Sequence, residues 1–257
     1  MSDLDLAVTD GTRRLDLAQV WTDVTLVDGF VQAPHLTVQV HDPQRTLIAD
    51  PLIRRSTWIP FDRRRHLLSG IAKDGSTVTL VGEDVHVRRL RAQRGELTVS
   101  ASTPLARFVR RLARDADVPI VTVQVADLPE PYERGEDETS WDCIVRLATE
   151  ARSRVIMEPG GLVVADDQTL QQRRTPVDLA ERQAGVDHIN FQASDGDVVA
   201  EQASVDLRAE PGQLQTGTPV RVSGLRPMDG PWLVSEVQWQ PHRTATRVEL
   251  VRPGGGL

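Results

Sequence analysis

The side chains able to do chemistry are few and dispersed. Six histidines stand at His35, His41, His66, His86, His188 and His242, and no two are three, four or five positions apart. A zinc site local in sequence needs two imidazoles on one helix face, so H-E-x-x-H chemistry is excluded and only a dispersed metal set remains. Cys143 is the single cysteine. It permits no intrachain disulfide, and inside an apolar helical pattern with no base nearby in sequence it reads as a packed thiol rather than a nucleophile. Glu133, Glu136, Asp137 and Glu138 could supply the carboxylate pair of glycoside cleavage. The same run also suits a solvated loop whose charge complements the N-terminus of a following helix. Asp195-Gly196-Asp197 has the opening spacing of a calcium loop without its remaining ligands, so a turn is expected. No G-x-S-x-G elbow, phosphate loop or dinucleotide fingerprint occurs. The expectation is a protein that is not an enzyme and needs no cofactor or metal.

Composition agrees with a folded, water-compatible chain. It has 257 residues, 39% hydrophobic and 26% charged, and a mean hydropathy of −0.31. No run approaches the 18 or so apolar residues of a membrane span, and the N-terminus opens with acids, so neither a span nor a secretion signal is expected. Thirty basic residues face 37 acidic ones, and the excess lies after residue 100. A negative C-terminal region repels a phosphate backbone and argues against a dedicated nucleic-acid binder. The clusters Arg63-Arg64-Arg65 and Arg88-Arg89-Arg91-Arg94 lack interleaved aromatics for base stacking and suit exposed faces or protein contacts.

Period-two segments such as 35–40, with Leu36, Val38 and Val40 on one face, and the Asp74-Gly75 turn before Val78 and Leu80 predict several short strands before residue 100. The period then changes. Leu105, Phe108, Val109, Leu112 and Ala113 form a helical stripe with Arg107, Arg110, Arg111 and Arg114 on the other faces, Thr103 as N-cap and Pro104 in the first turn. An acidic, proline-containing loop (126–138) leads to a second helix, with Thr139 and Asp142 spaced as a capping box and an apolar face from Trp141 to Ala151. RVIMEPGGLVVAD reads as a hairpin turning at Pro159-Gly160-Gly161. Strands return after residue 186. In GPWLVSEVQWQ, Leu233, Val237 and Trp239 share a face with Ser235, and Trp232 and Val234 take the opposite one. Such a strand is either sandwiched inside its own fold or buried against a partner chain. The expected class is α+β, mainly β: two small β-barrel domains, 1–100 and 186–257, separated by a helix-helix-hairpin α+β unit, 101–185.

Three segments carry a resemblance. Residues 135–170 hold a capped helix opening Ser140-Trp141, the pair Leu147-Ala148, and a hairpin whose second strand follows a glycine. Residues 103–118 form the preceding helix, and 224–253 carry Asp229-Gly230-x-Trp232-x-Val234 and a late Leu250-x-x-Pro253. In this order they resemble the baseplate hub family of tailed phages and contractile injection systems. The resemblance implies a homotrimer in which two related barrels per chain make a pseudo-sixfold ring, joining a hexameric tail tube to a tip or spike. It implies contacts with tail tube, distal tail, tape measure and tip, spike or fibre proteins, no membrane binding, DNA only as passing cargo, and a place at the virion tail tip after assembly in the host cytoplasm. No fused fibre, lysozyme or peptidase segment is expected. Trp232, Trp58 and Arg88 are the expected interface anchors. The alternatives are a hexameric distal-tail or tube-initiator ring protein and a tail-associated cell-wall hydrolase.

Overall fold

The computed structural model describes residues 5–30, 32–100, 102–129, 131–180, 186–192, 202–208, 214–224, 228–240 and 246–254. Alternating apolar and polar positions form seven strands in the first third: β1 (Ala7–Thr9), β2 (Arg14–Asp16), β3 (Trp21–Gly29), β4 (His35–His41), β5 (Trp58–Phe61), β6 (Arg64–Asp74) and β7 (Thr77–Asp84). Helix α1 (Val85–Ala92), strand β8 (Leu97–Thr98), helix α2 (Leu105–Asp115), strands β9 (Ile120–Gln124) and β10 (Glu133–Arg134), helix α3 (Ser140–Glu150), strands β11 (Ser153–Glu158) and β12 (Gly161–Asp166) and helix α4 (Asp167–Arg173) follow. The last third gives β13 (Val177–Ala180), β14 (Val186–Gln192), β15 (Gln202–Leu207), β16 (Pro219–Ser223), β17 (Gly230–Trp239) and β18 (Thr246–Val251). The class is α+β, mainly β.

The two strand-rich regions are not separate sheets. One hydrogen-bonded path runs β14-β15-β18-β17-β3-β4-β7-β6-β5-β1-β2, with β16 also on β17 and β13 parallel to β16. The link is β17 against β3, where Glu236 to Trp239 pair with Gly29 to Leu26. Among the described residues no pairing closes either strand group into a ring.

Among the described residues three cores form, sharing a small fourth one. Strands β1 to β7 bury Val24, Leu36, Val38, Ile59 and Leu80, and the last third buries Val205, Trp232, Val234, Val237 and Val248. The α+β core holds the α2 stripe, with Leu105, Phe108, Val109, Leu112 and Ala113 all fully buried, together with Cys143, Ile144 and Leu162. It also takes Val87 and Leu90 from α1, which lies before residue 100. Phe30, Ile156, Val163, Leu170, Leu233 and Val251 come from all three segments and fill the space where they meet.

Local rules explain the helix ends, with one difference. Thr139 Oγ1 accepts from the Asp142 N–H at 3.1 Å, so it caps α3 as the spacing predicts, and the Asp142 carboxylate accepts from the Thr139 hydroxyl at 2.6 Å where a capping box would use the Thr139 N–H. Thr103 does not cap α2. Pro104 occupies the N-cap position, and Asp127, reaching across from the acidic loop, accepts from the Leu105 N–H at 2.7 Å. Helices α1 and α4 carry little periodic signal. Each is short, buries one or two side chains, and is capped by an aspartate, Asp84 or Asp166.

Strand β17 departs from strict alternation. Its register against β18 shifts between Val234 and Glu236, leaving Ser235 as an extra residue whose carbonyl accepts from the Phe30 N–H at 2.9 Å. That bulge moves Val237 onto the face of Trp232 and Val234, in the last core, while Leu233 enters the shared cluster and Trp239 the first core. The face shared by Leu233, Ser235 and Val237 that simple alternation predicts is therefore not formed.

The β11–β12 hairpin pairs Glu158 with Gly161 and turns at residues 159–160. Gly161 has φ +130°, and a Cβ there would stand 2.3 Å from the Pro119 carbonyl oxygen that accepts from the Leu162 N–H. Gly161→Ala should destabilise the chain by about 1–3 kcal/mol or more, read as a lowered urea midpoint. An unchanged midpoint would mean that β9 and β12 can separate freely.

Candidate functional site

Side chains that could do covalent chemistry are held in states that disfavour it. Cys143 is fully buried in α3, and burial followed by the nearby Glu138 charge pushes its thiol up to about 12. It is therefore a neutral thiol, not a nucleophilic thiolate. Glu138 receives two guanidinium hydrogen bonds from Arg146, at 2.8 and 3.0 Å, and these hold its carboxyl below the usual range. A general acid needs the opposite shift. Glu133, Glu136 and Asp137 are exposed. His35 is half-buried against the Ala33 carbonyl, His41 and His188 are exposed on different strands, and His242 and residues 195–197 lie outside the described residues. Among the described residues no group of three His, Cys, Asp or Glu side chains converges as a metal set would.

The strongest concentration of polar chemistry lies at the joint between the cores. Arg64 opens β6 with its side chain facing inward and 2% exposed. Its guanidinium donates to Asp28 Oδ2 on β3 at 2.7 Å and to the Met157 carbonyl on β11, and stands 3.8 Å from Asp84 Oδ2. Asp84 in turn caps α1, and the Thr216 hydroxyl from the last third donates to the Asp28 carbonyl at 2.8 Å. One arginine thus ties the first strand group to the α+β unit, and its partner aspartate is tied to the last segment. Among the described residues, Arg64 Nε, Asp28 Oδ1 and both His66 ring nitrogens lack hydrogen-bond partners. Burial, reinforced by the neighbouring Asp84 and Asp62 charges and opposed by Arg64, raises the Asp28 carboxyl to about 6. Burial and Arg64 lower His66 to about 3.

The sequence pointed to the Arg63-Arg64-Arg65 run as an exposed cluster, and the central residue is the exception. Arg64, His66 and Leu68 alternate onto one face of β6, and the tertiary pairing turns that face inward. Asp62 and Arg63 make the β5–β6 turn with φ of 48° and 60°, a left-handed pair usually supplied by Asn-Gly. Beside it, a cleft of about 470 Å³ opens between Phe61, Asp62, Arg63, Arg65 and Trp239. In the second cluster Arg88 and Arg91 reach Glu83 and Arg89 reaches Asp117. These arginines are largely used within the chain.

The three expected anchors lie apart. Trp58 is half-buried on β5, with the Arg65 guanidinium 5.6 Å from its ring centroid. Arg88 is 53% exposed on α1 and 3.8 Å from Glu83. Trp232 has no exposed surface: its Nε1 donates to the Met228 carbonyl at 2.7 Å, and Arg252 stacks 4.1 Å from its ring centroid. Of the two readings of its strand, burial inside its own fold describes this side chain, because it packs with Val205, Val220, Val234 and Val248 in the last core.

No family model matches the chain, and no curated protein matches it in sequence. Solved structures do match in shape. The 43 kDa tail protein of prophage MuSo2 from Shewanella oneidensis superposes with a TM-score of 0.69 at 11% identity, over 98% of this chain and 99% of that one. A tail protein from Neisseria meningitidis MC58 gives 0.67 at 12% identity, over 98% and 97%. The chain has the fold of phage tail proteins. The c3393 protein of E. coli shares this tail-protein fold, with a TM-score of 0.64 at 13% identity over 90% of this chain and 73% of that one. That protein is a type VI secretion component similar to the T4 tail proteins gp27 and gp5. At such identities the likeness lies in the order and packing of elements, since few side chains are shared. The tail-protein fold therefore assigns no residue role, and the roles above rest on this chain's own geometry.

Proposed function

We propose that this chain is the structural hub of a phage tail tip, or of the equivalent part of a tail-like injection particle. The observation that carries the reading is the full-length match to tail proteins, by a chain whose two strand groups flank an α+β unit. In this role three copies form a ring in which the two strand groups of each chain offer six comparable surfaces, matching a sixfold tube to a threefold tip. The neighbours are tail tube and distal tail proteins above, tip, spike or fibre proteins below, and the tape measure protein within. DNA passes as cargo, and the acidic excess after residue 100 keeps it from adhering to the wall. Trp58 and Arg88, each with surface to offer, are candidate contact residues; Trp232 is not.

Light scattering of the purified chain should give three times its 28.4 kDa mass, and labelled copies in assembled particles should sit at the tube end. Six copies would instead assign it to a distal-tail or tube-initiator ring, and a stable monomer absent from particles would refute both.

A further inference from the structure

The α+β unit separates its charges. Residues 101–150 contain six arginines and ten acids, and four of those arginines, Arg107, Arg110, Arg111 and Arg114, lie at i, i+3, i+4 and i+7 on the exposed face of α2. At 1.5 Å per residue they make a cationic stripe about 10 Å long. Little neutralises it from within. Arg111 lies 3.8 Å from Asp115 with both side chains half exposed, and Arg110 donates to the uncharged Val123 carbonyl at 2.8 Å. Arg107 and Arg114 have no acidic partner among the described residues. Like charges at these spacings repel and weaken a free helix.

The acids gather elsewhere on the same unit. Glu96, Glu133, Glu136 and Asp137 are exposed around the β8–β10 ribbon, where Thr98 pairs with Glu133 and the Gly95 N–H donates to the Glu136 carbonyl. None of the four is in an ion pair among the described residues. We infer that the arginine face of α2 docks the acidic β8–β10 ribbon of a second copy of this chain, and that this contact repeats around a closed ring. Two different patches that complement each other make a head-to-tail contact, which closes when the rotation allows. Charge complementarity of this kind sets orientation and encounter rate, so the stripe determines which way neighbouring copies face. Nucleic acid fits the stripe less well, because Phe108, which lies between the arginines in sequence, is fully buried and offers no ring to a base, and the chain as a whole is acidic.

The inference rests on the trimeric reading above, and light scattering of the full chain in about 0.1 M salt tests the two separately. Arg111→Glu with Arg114→Glu should weaken assembly about tenfold or more, as should Glu136→Arg with Asp137→Arg. All four substitutions together recreate the contact with its signs exchanged and should restore the trimer. A trimer indifferent to either pair, or not restored by all four, overturns the contact while leaving the trimeric reading intact. A wild-type chain that is monomeric or hexameric overturns both. Duplex DNA retained by the wild type and lost by the arginine pair, with assembly unchanged, would give the stripe to nucleic acid and also overturn the contact.

Discussion

Arg64→Ala should cost about 3–5 kcal/mol of unfolding free energy, because it leaves Asp28 buried without its counter-charge. The two side chains are 2% and 8% exposed and 2.7 Å apart, and Arg64 also satisfies the Met157 carbonyl. Asp28→Asn with Arg64→Met should recover much of that loss, since neither charge then remains buried alone. Urea midpoints of Arg64→Met, Asp28→Asn and the double variant measure the coupling; additive losses would show that the pair does not act as a unit.

The same joint sets a pH dependence. Asp28 titrates near 6 when folded, above its unfolded value, so its contribution is greatest at low pH and is lost as pH rises through 6. His66 titrates near 3 when folded, below its unfolded value, so its contribution is present above about 6.5 and is lost as pH falls from there toward 3. Between pH 6 and 4 the folded chain gains a proton at Asp28 while the unfolded chain gains one at His66, and the two slopes oppose. Asp28→Asn removes one side of that balance. Its stability should fall on acidification more steeply than the wild type's, by at most about 1.4 kcal/mol per pH unit. Equal slopes for the two proteins would show that Asp28 takes up no proton in this range.

Trp232→Ala should destabilise the chain by about 3–5 kcal/mol through the cavity it leaves in the last core. The folded fraction should keep the wild-type copy number, because the indole exposes no surface and its N–H is bound to the Met228 carbonyl. Trp232→Phe keeps a ring but leaves that carbonyl without its donor, for a loss of about 1–3 kcal/mol. Thermal unfolding gives the first quantity and light scattering the second. A Trp232→Phe chain that melts like the wild type but loses its partners would return Trp232 to the interface. Trp58→Ala is the contrasting case, since a half-buried ring on β5 can be lost with a smaller effect on folding.

Much of this architecture was legible because it is local. The α2 stripe, the Thr139 cap and the hairpin ending at Gly161 depend on spacings within a dozen residues, and each stands close to where its period places it. Helices α1 and α4 were not, because one or two buried side chains give no readable period. The distant cap of α2 by Asp127 joins residues 22 apart and has no local signature. Cys143 is a buried thiol, as its place in the helical pattern suggests, whereas α3 is capped by Thr139 and not by the 133–138 acids, of which Glu138 binds the Gly135 N–H and Arg146.

The sequence alone therefore determined the class, the order of the first strands, α2, α3, the hairpin and the last strands, and the lack of any local catalytic or metal motif, since period, capping and motif spacing act over short stretches of chain. Only the tertiary structure decided that the two strand groups share one sheet through β17 and β3, and that a bulge at Ser235 redistributes β17 among the cores. It also decided which arginine of an identical run is buried. Arg63, Arg64 and Arg65 have the same side chain; the β5–β6 turn and the register of β6 face the middle one toward Asp28, 36 positions away in the chain. Pairing and register are long-range choices, settled by which cores the strands close over.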